Sequence, residues 1–465
     1  MFSSAFGLGA VTAWRWLTFL EGHLLSVFPE RTLLAPQQAF LLFTLLHGLG
    51  LFAAARRLLP FDEGRAKTTL VLGALLSSAS QVPFLLPGYV TSWVWGLLFT
   101  FVGALGATIL FVLWCWHLTQ FSPAASAFLF GCANVLSALV ITFSPWIPRE
   151  ILLALTLLLP FVAAWRWRAP SEGLYGARVP PPLSPSWGLS PYSPKLMLRI
   201  GSFFFTCSLF HALLLTSSSP ELYRIWKVTE PLYSMGALTT GLLIWRFAEI
   251  DLRNLYRMAQ TLLGLGFATF LFLGGHHPLI AVALLQTGYG VFGTYAWVLL
   301  LYLASRAGRK EALAVASRGH FGIVLSVLVG IALTQGAQKA AMKLGLPLSP
   351  FLSLLAIATL FLAGLAFDDD RETFAGYDLP LADGDEEGGE GLSLAGLLEA
   401  DLTRQERRVA LLVAERCSNA DICGRLNITT NTVRTHLKNI YRKLDVSGRE
   451  ELQDHLASLG KRGGL

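Results

Sequence analysis

The sequence predicts an all-α protein, in which a helical membrane bundle of about twelve spans precedes a small C-terminal domain of four helices. Hydrophobic residues make up 54% of the chain and charged residues only 14%, whereas soluble domains carry about 25% charged residues. Apolar runs near twenty residues long recur as far as residue 367, and such runs can cross a bilayer as helices. Beyond residue 401, apolar residues recur at helical spacing among charged ones, which is typical of small soluble helices.

Twelve apolar runs are the predicted spans, and the pattern tolerates an error of two in their number. The first run contains Arg15 and Glu21, and it lacks the flanks and cleavage site of a removable signal peptide. The predicted spans are 6–28, 37–55, 68–87, 91–116, 124–145, 150–166, 198–217, 228–246, 257–275, 278–303, 318–336 and 348–367.

Loop charges predict the orientation of the bundle. With a cytoplasmic N-terminus, the inner loops hold sixteen Lys and Arg residues and the outer loops hold six. Because cytoplasmic loops are enriched in these residues and the span number is even, both termini are predicted in the cytoplasm of a bacterial inner membrane. Five scattered cysteines predict no disulfide framework and suit a reducing compartment.

The membrane domain, predicted over residues 1–367, divides into two halves of six spans. A loop rich in Pro, Ser and Gly, residues 167–197, separates the halves 1–166 and 198–367. This six-plus-six arrangement resembles the major facilitator superfamily of transporters. The resemblance implies a cavity between the halves near the middle of the membrane.

A second feature of that resemblance is the segment "LLPFDEGRAK", Leu58 to Lys67. It is similar to the family's loop between spans two and three, which pairs an Asp with a following Gly-Arg. Asp62 stands one residue closer to Gly64 and Arg65 than is usual in the family, and the preceding glycine is absent. The departure argues mildly against transport.

Polar groups at membrane depth are costly, which makes them candidates for a ligand site between the halves. The predicted pocket residues are Arg15, Glu21, His23, His47, His211, Glu230, Gln286, Tyr289 and Tyr295. The alternative interpretation is structural, with Arg15 and Glu21 paired or near the interface and the histidines satisfied by packing. No metal site and no cofactor are predicted, since "GHHP" at 275–278 has no Cys or carboxylate nearby.

Residues 401–465 carry four predicted helices. The first opens with a capping box of Thr403 and Glu406. The second lies in "SNADICGRL", and the fourth runs from about Gly448 to Leu459. The third starts near Thr430, and its predicted buried stripe consists of Val433, Leu437, Ile440 and Leu444.

A basic face runs along this third helix. Arg434, Lys438 and Arg442 recur every four residues, beside Thr435. Two helices joined by a tight turn, the second with an exposed basic face, form a helix-turn-helix whose second helix fits the major groove of DNA. The elements "L-T-x-x-E", "S-N-x-x-I", "T-V-x-x-H-x-x-N-I-Y-x-K-L" and "R-x-E-L" stand in register over about 55 of the 465 residues. This segment resembles the LuxR-type helix-turn-helix domain, which also ends NarL/FixJ response regulators.

The resemblance implies the DNA contacts. The base-facing positions of the family correspond to Arg434, Thr435 and Lys438. Its phosphate-facing positions correspond to Thr430, Thr432, His436, Asn439 and Arg442. The resemblance also implies a homodimer on DNA through the last helix, for which Leu452, Leu456 and Leu459 supply a face. The alternative is that the basic side chains only solvate a surface.

An acidic linker, residues 368–400, is predicted between the two domains. Its eleven acidic residues from Asp368 to Glu399 face a single base, Arg371. Such a segment repels itself and stays extended. The simpler interpretation is a solvated tether, and the alternative is competition with DNA for the basic face of the terminal domain.

Together these features predict a membrane-embedded one-component transcription regulator. Its bundle, which is surrounded by membrane lipid, senses an unknown small molecule. Its C-terminal domain binds double-stranded promoter DNA. The main alternative is a solute transporter with an attached autoregulatory DNA-binding domain, and a third possibility is that the bundle serves only as an anchor. No nucleophile–base pair, metal cluster or phosphate-binding loop is found in the sequence, so no enzymatic activity is predicted.

Overall fold

The structure of the protein is a computed structural model. It describes residues 2–20, 36–58, 62–85, 93–167, 192, 194–216, 220–246, 252–273, 278–307, 309–345, 348–366, 402, 404–414, 416–426 and 430–462. The chain divides into two compact units, Met1–Asp383 and Gly384–Leu465. The described residues form helices and turns without any β-strand, which confirms the all-α fold class.

Twelve long helices lie in the described part of the first unit, and each overlaps one predicted span. A π-helical turn, Trp16–Leu20, continues the first of them. The helices are α1 (Phe2–Arg15), α2 (Pro36–Ala55), α3 (Ala66–Ala79), α4 (Trp93–Leu118), α5 (Pro123–Phe143), α6 (Arg149–Arg166), α7 (Pro194–Thr216), α8 (Pro220–Arg246), α9 (Leu252–Leu273), α10 (Pro278–Arg306), α11 (Arg309–Leu344) and α12 (Leu348–Ala366).

Six of these helices, α2, α4, α5, α10, α11 and α12, are long and apolar enough to cross a membrane by length and composition. Large apolar side chains also point outward, as Phe361, Leu362 and Leu365 on α12 do. Outward-facing apolar residues are what a lipid environment favours. The protein is therefore a multi-pass membrane protein, and the number of twelve spans stays a prediction.

Two helices are much longer than the predicted spans. Helix α8 starts at Pro220, eight residues before the predicted span, so Glu230 lies inside the helix rather than at a span end. Helix α11 extends beyond the predicted span at both ends. Hydropathy alone misplaces these ends because the added turns carry charged residues that a helix accommodates outside the apolar layer.

The two halves pack against each other along a small set of helices. Helix α5 packs on α8 and α10, and α11 packs on α2 and α4. The α5–α8 contact is close because glycines face it: a Cβ on Gly131 would lie 2.7 Å from the Cα of Leu238, and one on Gly241 would lie 2.5 Å from the Ala127 carbonyl oxygen. Small residues at such contacts let membrane helices approach closely.

The second unit contains four helices in its described part, in agreement with the number predicted for residues 401–465. They are α13 (Arg404–Ala414), α14 (Asn419–Leu426), α15 (Thr430–Leu444) and α16 (Arg449–Arg462). Helix α13 packs on α15 and α16, and α14 packs on α15. The buried core of the unit consists of Leu402, Val409, Ala410, Val413, Cys417, Ile422, Val433, Leu437, Ile440, Val446, Leu452 and Leu456.

Some predictions fall on residues outside those that the structure describes. These are the acidic linker 368–400, most of the loop 167–197, the predicted cap Thr403, and the pocket candidates Glu21 and His23. The boundary between the two compact units falls within the predicted linker.

Candidate functional site

Helix α15 is held by one apolar face. Val433, Leu437 and Ile440 are buried, and Leu444 is half-buried against the same core. Their spacing of four, three and four residues places them along one side of the helix. The opposite side of α15 is therefore the one available to a partner.

The exposed face of α15 is basic. Arg434, Lys438 and Arg442 are exposed and follow one another at intervals of four residues, so they form a stripe about 12 Å long. Thr435 is also exposed, beside Arg434. A stripe of donors on one helix is the pattern that reads base edges and phosphates in a major groove.

The remaining predicted contact residues flank this stripe. His436 and Asn439 are half-buried, and the Asn439 side-chain oxygen accepts a hydrogen bond of 3.4 Å from Arg442. Thr430 and Thr432 lie in the first turn of α15, where backbone N–H groups are available to a phosphate. The helix thus carries all eight predicted contact positions.

An ion pair between a buried carboxylate and a half-buried lysine joins α15 to α13. Lys443 Nζ donates a hydrogen bond of 2.8 Å to Glu406 Oε2, and the Glu406 side chain is only 4% exposed. Glu406 belongs to the "L-T-x-x-E" element and Lys443 to the "Y-x-K-L" element. Both residues are letters of the motif, and nothing in the spacing of the motif indicates that they touch.

A second pair of motif residues joins α16 to the start of α14. Arg449 Nη1 donates a hydrogen bond of 2.7 Å to Asn419 Oδ1, and Arg449 Nη2 donates to the Cys417 carbonyl oxygen. Arg449 opens the "R-x-E-L" element, and Asn419 belongs to "S-N-x-x-I". These hydrogen bonds hold the N-terminal end of the short helix α14 in place.

Helix α14 is also capped reciprocally. The Asp421 backbone N–H donates to Ser418 Oγ at 3.2 Å, while the Ser418 backbone N–H donates to Asp421 Oδ2 at 2.9 Å. This is a capping box, which satisfies donors that a helix start leaves unpaired. The sequence signal was present in "SNAD", with a serine followed by an acid three residues later.

Residues 400–456 match the profile of the family described as "Bacterial regulatory proteins, luxR family". The C-terminal domain is a LuxR-type helix-turn-helix domain. The predicted resemblance to the LuxR-type domain is thus confirmed, and α15 stands at the position of the second helix of the helix-turn-helix, the recognition helix of such motifs.

The LuxR-type domain has similar relatives among bacterial regulators. It is 46% identical over 59 residues to the HTH-type transcriptional regulator Mb0914c of Mycobacterium bovis, and 37% identical over 60 residues to the HTH-type transcriptional regulator MalT of Klebsiella pneumoniae. Each similarity covers 13% of this chain and 7% of the relative. The likeness is confined to the DNA-binding domain and does not extend to the rest of those regulators.

The remainder of the chain is similar in fold to transporters. The major facilitator superfamily proton:xylose symporter XylE matches with a TM-score of 0.55 and 13% sequence identity, over 82% of this chain and 96% of XylE. At this identity the likeness concerns the fold alone. The predicted combination of a major-facilitator-like bundle with a LuxR-type domain is confirmed as an architecture.

The predicted pocket residues of the bundle fall into two groups. In the first, the Arg15 guanidinium lies 4.8 Å from the centre of the Phe111 ring, and the His47 ring lies 5.4 Å from the same centre. Two residues outside the predicted pocket set, Trp297 and His320, complete this group with ring centres 5.6 and 4.9 Å from that of Phe111. His320 carried the signal used for the others, an imidazole inside an apolar run.

The second group lies within the second half. Gln286 Nε2 donates a hydrogen bond of 2.9 Å to Glu230 Oε2, and both side chains are buried. Tyr289 donates a hydrogen bond of 3.3 Å to Thr206, from its neighbouring position on α10. This group forms a buried polar cluster around α7, α8 and α10.

The two remaining described candidates are placed by ring contacts. His211 Nδ1 donates a hydrogen bond of 3.2 Å to the Cys207 carbonyl oxygen. The centre of its ring lies 6.3 Å from that of Trp16 in the first half. Tyr295 packs against Phe292 and Tyr256 in the core of the second half. Both side chains therefore take part in packing, which agrees with the alternative prediction that the polar groups of the bundle have a structural role.

Proposed function

We propose that the protein is a membrane-embedded one-component transcription regulator. The observation that supports the proposal is a LuxR-type domain with an exposed basic recognition helix on the same chain as a major-facilitator-fold bundle. The regulator domain supplies the output, and the bundle occupies the position of an input domain. The protein is not an enzyme in this proposal.

The recognition helix would bind double-stranded promoter DNA. Arg434 and Lys438 can donate to guanine O6 and N7, and the Thr435 methyl group can meet the methyl group of thymine. Thr430, Thr432, His436, Asn439 and Arg442 would contact the phosphate backbone, which positions the domain without reading sequence. Two copies would pair on DNA through the exposed side of α16. The leucines predicted for this contact do not form it, because Leu452 and Leu456 are fully buried in the core of their own domain.

The bundle would act as the sensor. A small molecule that binds between the halves shifts the equilibrium between two arrangements of the halves only if it prefers one of them. Side chains of both halves meet at Phe111, where Arg15 and His47 come from the first half and Trp297 and His320 from the second. A ligand there would alter how two LuxR-type domains are presented to DNA.

A reporter gene behind the neighbouring promoter tests this function. Output should change with one of a panel of metabolites in cells that carry the full chain, and the change should vanish when residues 1–367 are deleted. An output that keeps responding after this deletion contradicts the sensor role. Fusions of a cytoplasmic fluorescent reporter to the C-terminus test the orientation, since DNA binding requires that terminus in the cytoplasm of a cell whose inner membrane holds the bundle.

Transport with an attached autoregulatory domain is the second candidate function. The fold supports it, as does the buried Glu230–Gln286 pair, because buried carboxyl groups at membrane depth serve ion and proton coupling in transporters. Uptake by vesicles that contain the purified protein distinguishes the candidates. Accumulation of the molecule that induces the reporter would favour the transporter, and binding without uptake would favour the sensor.

A further inference from the structure

The ring of Phe111 is the centre of a polar cluster that five helices build. The Arg15 guanidinium on α1 lies 4.8 Å from the ring centre, and the rings of His47 on α2, Trp297 on α10 and His320 on α11 lie 5.4, 5.6 and 4.9 Å from it. Phe111 itself belongs to α4. The cluster therefore joins three helices of the first half to two of the second.

Two donors of this cluster are buried without a hydrogen-bond acceptor. Arg15 Nε and Trp297 Nε1 have no hydrogen-bond partner, and Arg15 forms no ion pair among the residues that the structure describes. Trp297 is 8% exposed. The Arg15 side chain is half-buried and its Nε is fully buried. A cation inside a membrane bundle is stabilised by a negative partner, and buried donors require an acceptor. Both requirements point to an anion with acceptor oxygens.

Hydrogen bonds assign the protons of the two histidines. His320 Nδ1 lies 2.8 Å from the Ala316 carbonyl oxygen, which only accepts, so Nδ1 carries the proton. The Thr108 hydroxyl donates to the Ala104 carbonyl oxygen, so it accepts from His47 Nδ1 at 2.8 Å. A neutral imidazole protonated at Nδ1 presents Nε2 as an acceptor.

The acceptor of His320 is also unused. His320 Nε2 is buried without a hydrogen-bond partner in the described part of the chain, and the residue is 5% exposed. The cluster thus offers one cation, one N–H donor and one acceptor around an aromatic ring. A ligand with a carboxylate and a hydroxyl group matches these three groups.

We infer that the cluster around Phe111 is a binding site for a small organic carboxylate. The Arg15 guanidinium pairs with the carboxylate, the Trp297 indole N–H donates to it, and His320 Nε2 accepts a hydroxyl hydrogen from a hydroxy acid. This inference rests on the proposed sensor function and names its ligand class. Because Arg15 belongs to one half and Trp297 and His320 to the other, the bound anion bridges the halves.

A structural ion pair between Arg15 and Glu21 is the competing explanation, and protein stability distinguishes the two. Arg15→Met keeps the length of the stem and removes the charge. An unoccupied anion site gives Arg15→Met a thermal midpoint equal to or above that of the wild type, since functional sites commonly cost stability. If Arg15→Met and Glu21→Gln both lower the midpoint in the absence of ligand, Arg15 is a structural partner of Glu21 and the inference is overturned.

The binding test uses the full chain in lipid nanodiscs and follows its tryptophan fluorescence on heating. The probes are lactate and benzoate, each compared with its uncharged amide, lactamide or benzamide. At least one acid should raise the midpoint more than its amide, because only the acid supplies a charge for Arg15. Equal effects of acid and amide for both pairs would overturn the inference.

Three variants locate the binding. Arg15→Met should weaken binding of the active acid at least about tenfold. Trp297→Phe removes the indole N–H together with part of the ring and should weaken binding by a few-fold. Arg56→Met is the matched control, because Arg56 also lies over a phenylalanine ring, 5.5 Å from the centre of Phe52, at an exposed position. Its affinity should equal that of the wild type. An acid-induced shift that persists in Arg15→Met contradicts the site.

The promoter reporter separates this inference from the proposed function. An acid that binds wild type but leaves the output unchanged supports the site and contradicts the sensor function. A response to an inducer that persists in Arg15→Met contradicts the site and leaves the sensor function in place. A response that is lost in Arg15→Met and kept in Arg56→Met supports both.

Discussion

Lys443, near the end of the recognition helix, donates a hydrogen bond of 2.8 Å to the carboxylate of Glu406 in the first turn of α13. The lysine side chain is 25% exposed and the glutamate side chain 4%. The pair joins two helices that meet in the core, so it fixes the rotation of α15 and with it the direction of the basic face. The letters E and K of the family pattern thus describe a tertiary contact.

Loss of the lysine should destabilise the LuxR-type domain. Lys443→Ala removes the ion-pair partner of the buried Glu406 carboxylate, which should cost about 3–5 kcal/mol of unfolding free energy. Urea unfolding of the fragment 384–465 measures this loss. Lys438→Ala on the exposed face is the control and should change stability by less than about 0.5 kcal/mol. Equal stabilities of the two variants would show that the ion pair contributes nothing.

Substitutions on the exposed face should separate base contacts from phosphate contacts. Arg434→Ala and Lys438→Ala should each lower discrimination between operator and random DNA by about 1–3 kcal/mol. Arg442→Ala should weaken binding to all sequences alike. It should also reduce, by about one, the slope of the logarithm of the binding constant against the logarithm of the salt concentration. Fluorescence anisotropy at several salt concentrations measures both. Equal losses on every DNA for all three variants would contradict the assignment.

Two left-handed residues in the LuxR-type domain should tolerate glycine with a gain in stability. Arg416 (φ 62°) and Asp445 (φ 55°) follow the ends of α13 and α15, and the next residue in each case donates back to the helix. The left-handed conformation costs a residue with a Cβ about 1–2 kcal/mol. Glycine avoids this cost, but part of the gain is offset because glycine loses more backbone entropy on folding. Arg416→Gly should gain about 0.5–1 kcal/mol and Asp445→Gly less, since Asp tolerates this conformation.

The alanine variant is the control for this effect. Arg416→Ala keeps a Cβ and should gain nothing, so thermal unfolding of both variants of the fragment isolates the backbone contribution. Arg416→Gly also removes one positive charge outside α15, and it should keep the preference for operator DNA. A gain of equal size with alanine would show that the charge, and not the backbone, limits stability.

The start of α16 should make the domain sensitive to acid. Ser447 donates hydrogen bonds to Glu451 from its hydroxyl and, at 2.7 Å, from its backbone N–H, which lower the pKa of the Glu451 carboxyl below its ordinary value of 4.5. A lowered folded pKa contributes stability above pH 4.5 that is lost as the pH falls through the folded pKa.

Glu451→Gln should therefore lower the thermal midpoint near neutral pH and make no difference at strongly acidic pH. The midpoint of the fragment as a function of pH measures this convergence. Ser447→Ala removes one of the donors and should shift the curve in the same direction, and it should add little to Glu451→Gln. Curves that stay parallel down to acidic pH would contradict the role of these hydrogen bonds.

An ion pair between the halves of the bundle should bias their arrangement. Arg57, after the end of α2, pairs with Glu311 in the first turn of α11. Both side chains are well exposed, so the pair is worth about 0–1 kcal/mol. Arg57→Glu should raise alkylation of a cysteine at Val324, which faces Gly48 in the α2–α11 contact, by up to about fivefold.

The charge-reversed double variant is the control for that experiment. Arg57→Glu combined with Glu311→Arg restores opposite charges and should return the alkylation rate toward the starting value. The protein with native Val324 supplies the background from the five native cysteines. A double variant that opens more than either single variant would mean that the pair does not hold the halves together.

Local pattern predicted most of the fold. The apolar runs located twelve helices because the length needed to cross a bilayer is a property of a continuous segment. The buried stripe of α15 followed from helical spacing, and the exposure of Arg434 and Lys438 followed from the same spacing. The LuxR-type domain was recognisable because its pattern lies within one short stretch of chain.

The sequence by itself determined the architecture, a membrane bundle followed by a DNA-binding type of domain, because hydropathy and periodicity are read within a window of residues. Only the tertiary structure decided which polar groups meet. Trp297 and His320 join Arg15 at the Phe111 ring from positions more than 280 residues away in the chain, and Glu406 joins Lys443 across 37 residues. Such meetings depend on how helices pack in three dimensions, and no spacing within a single helix specifies that packing.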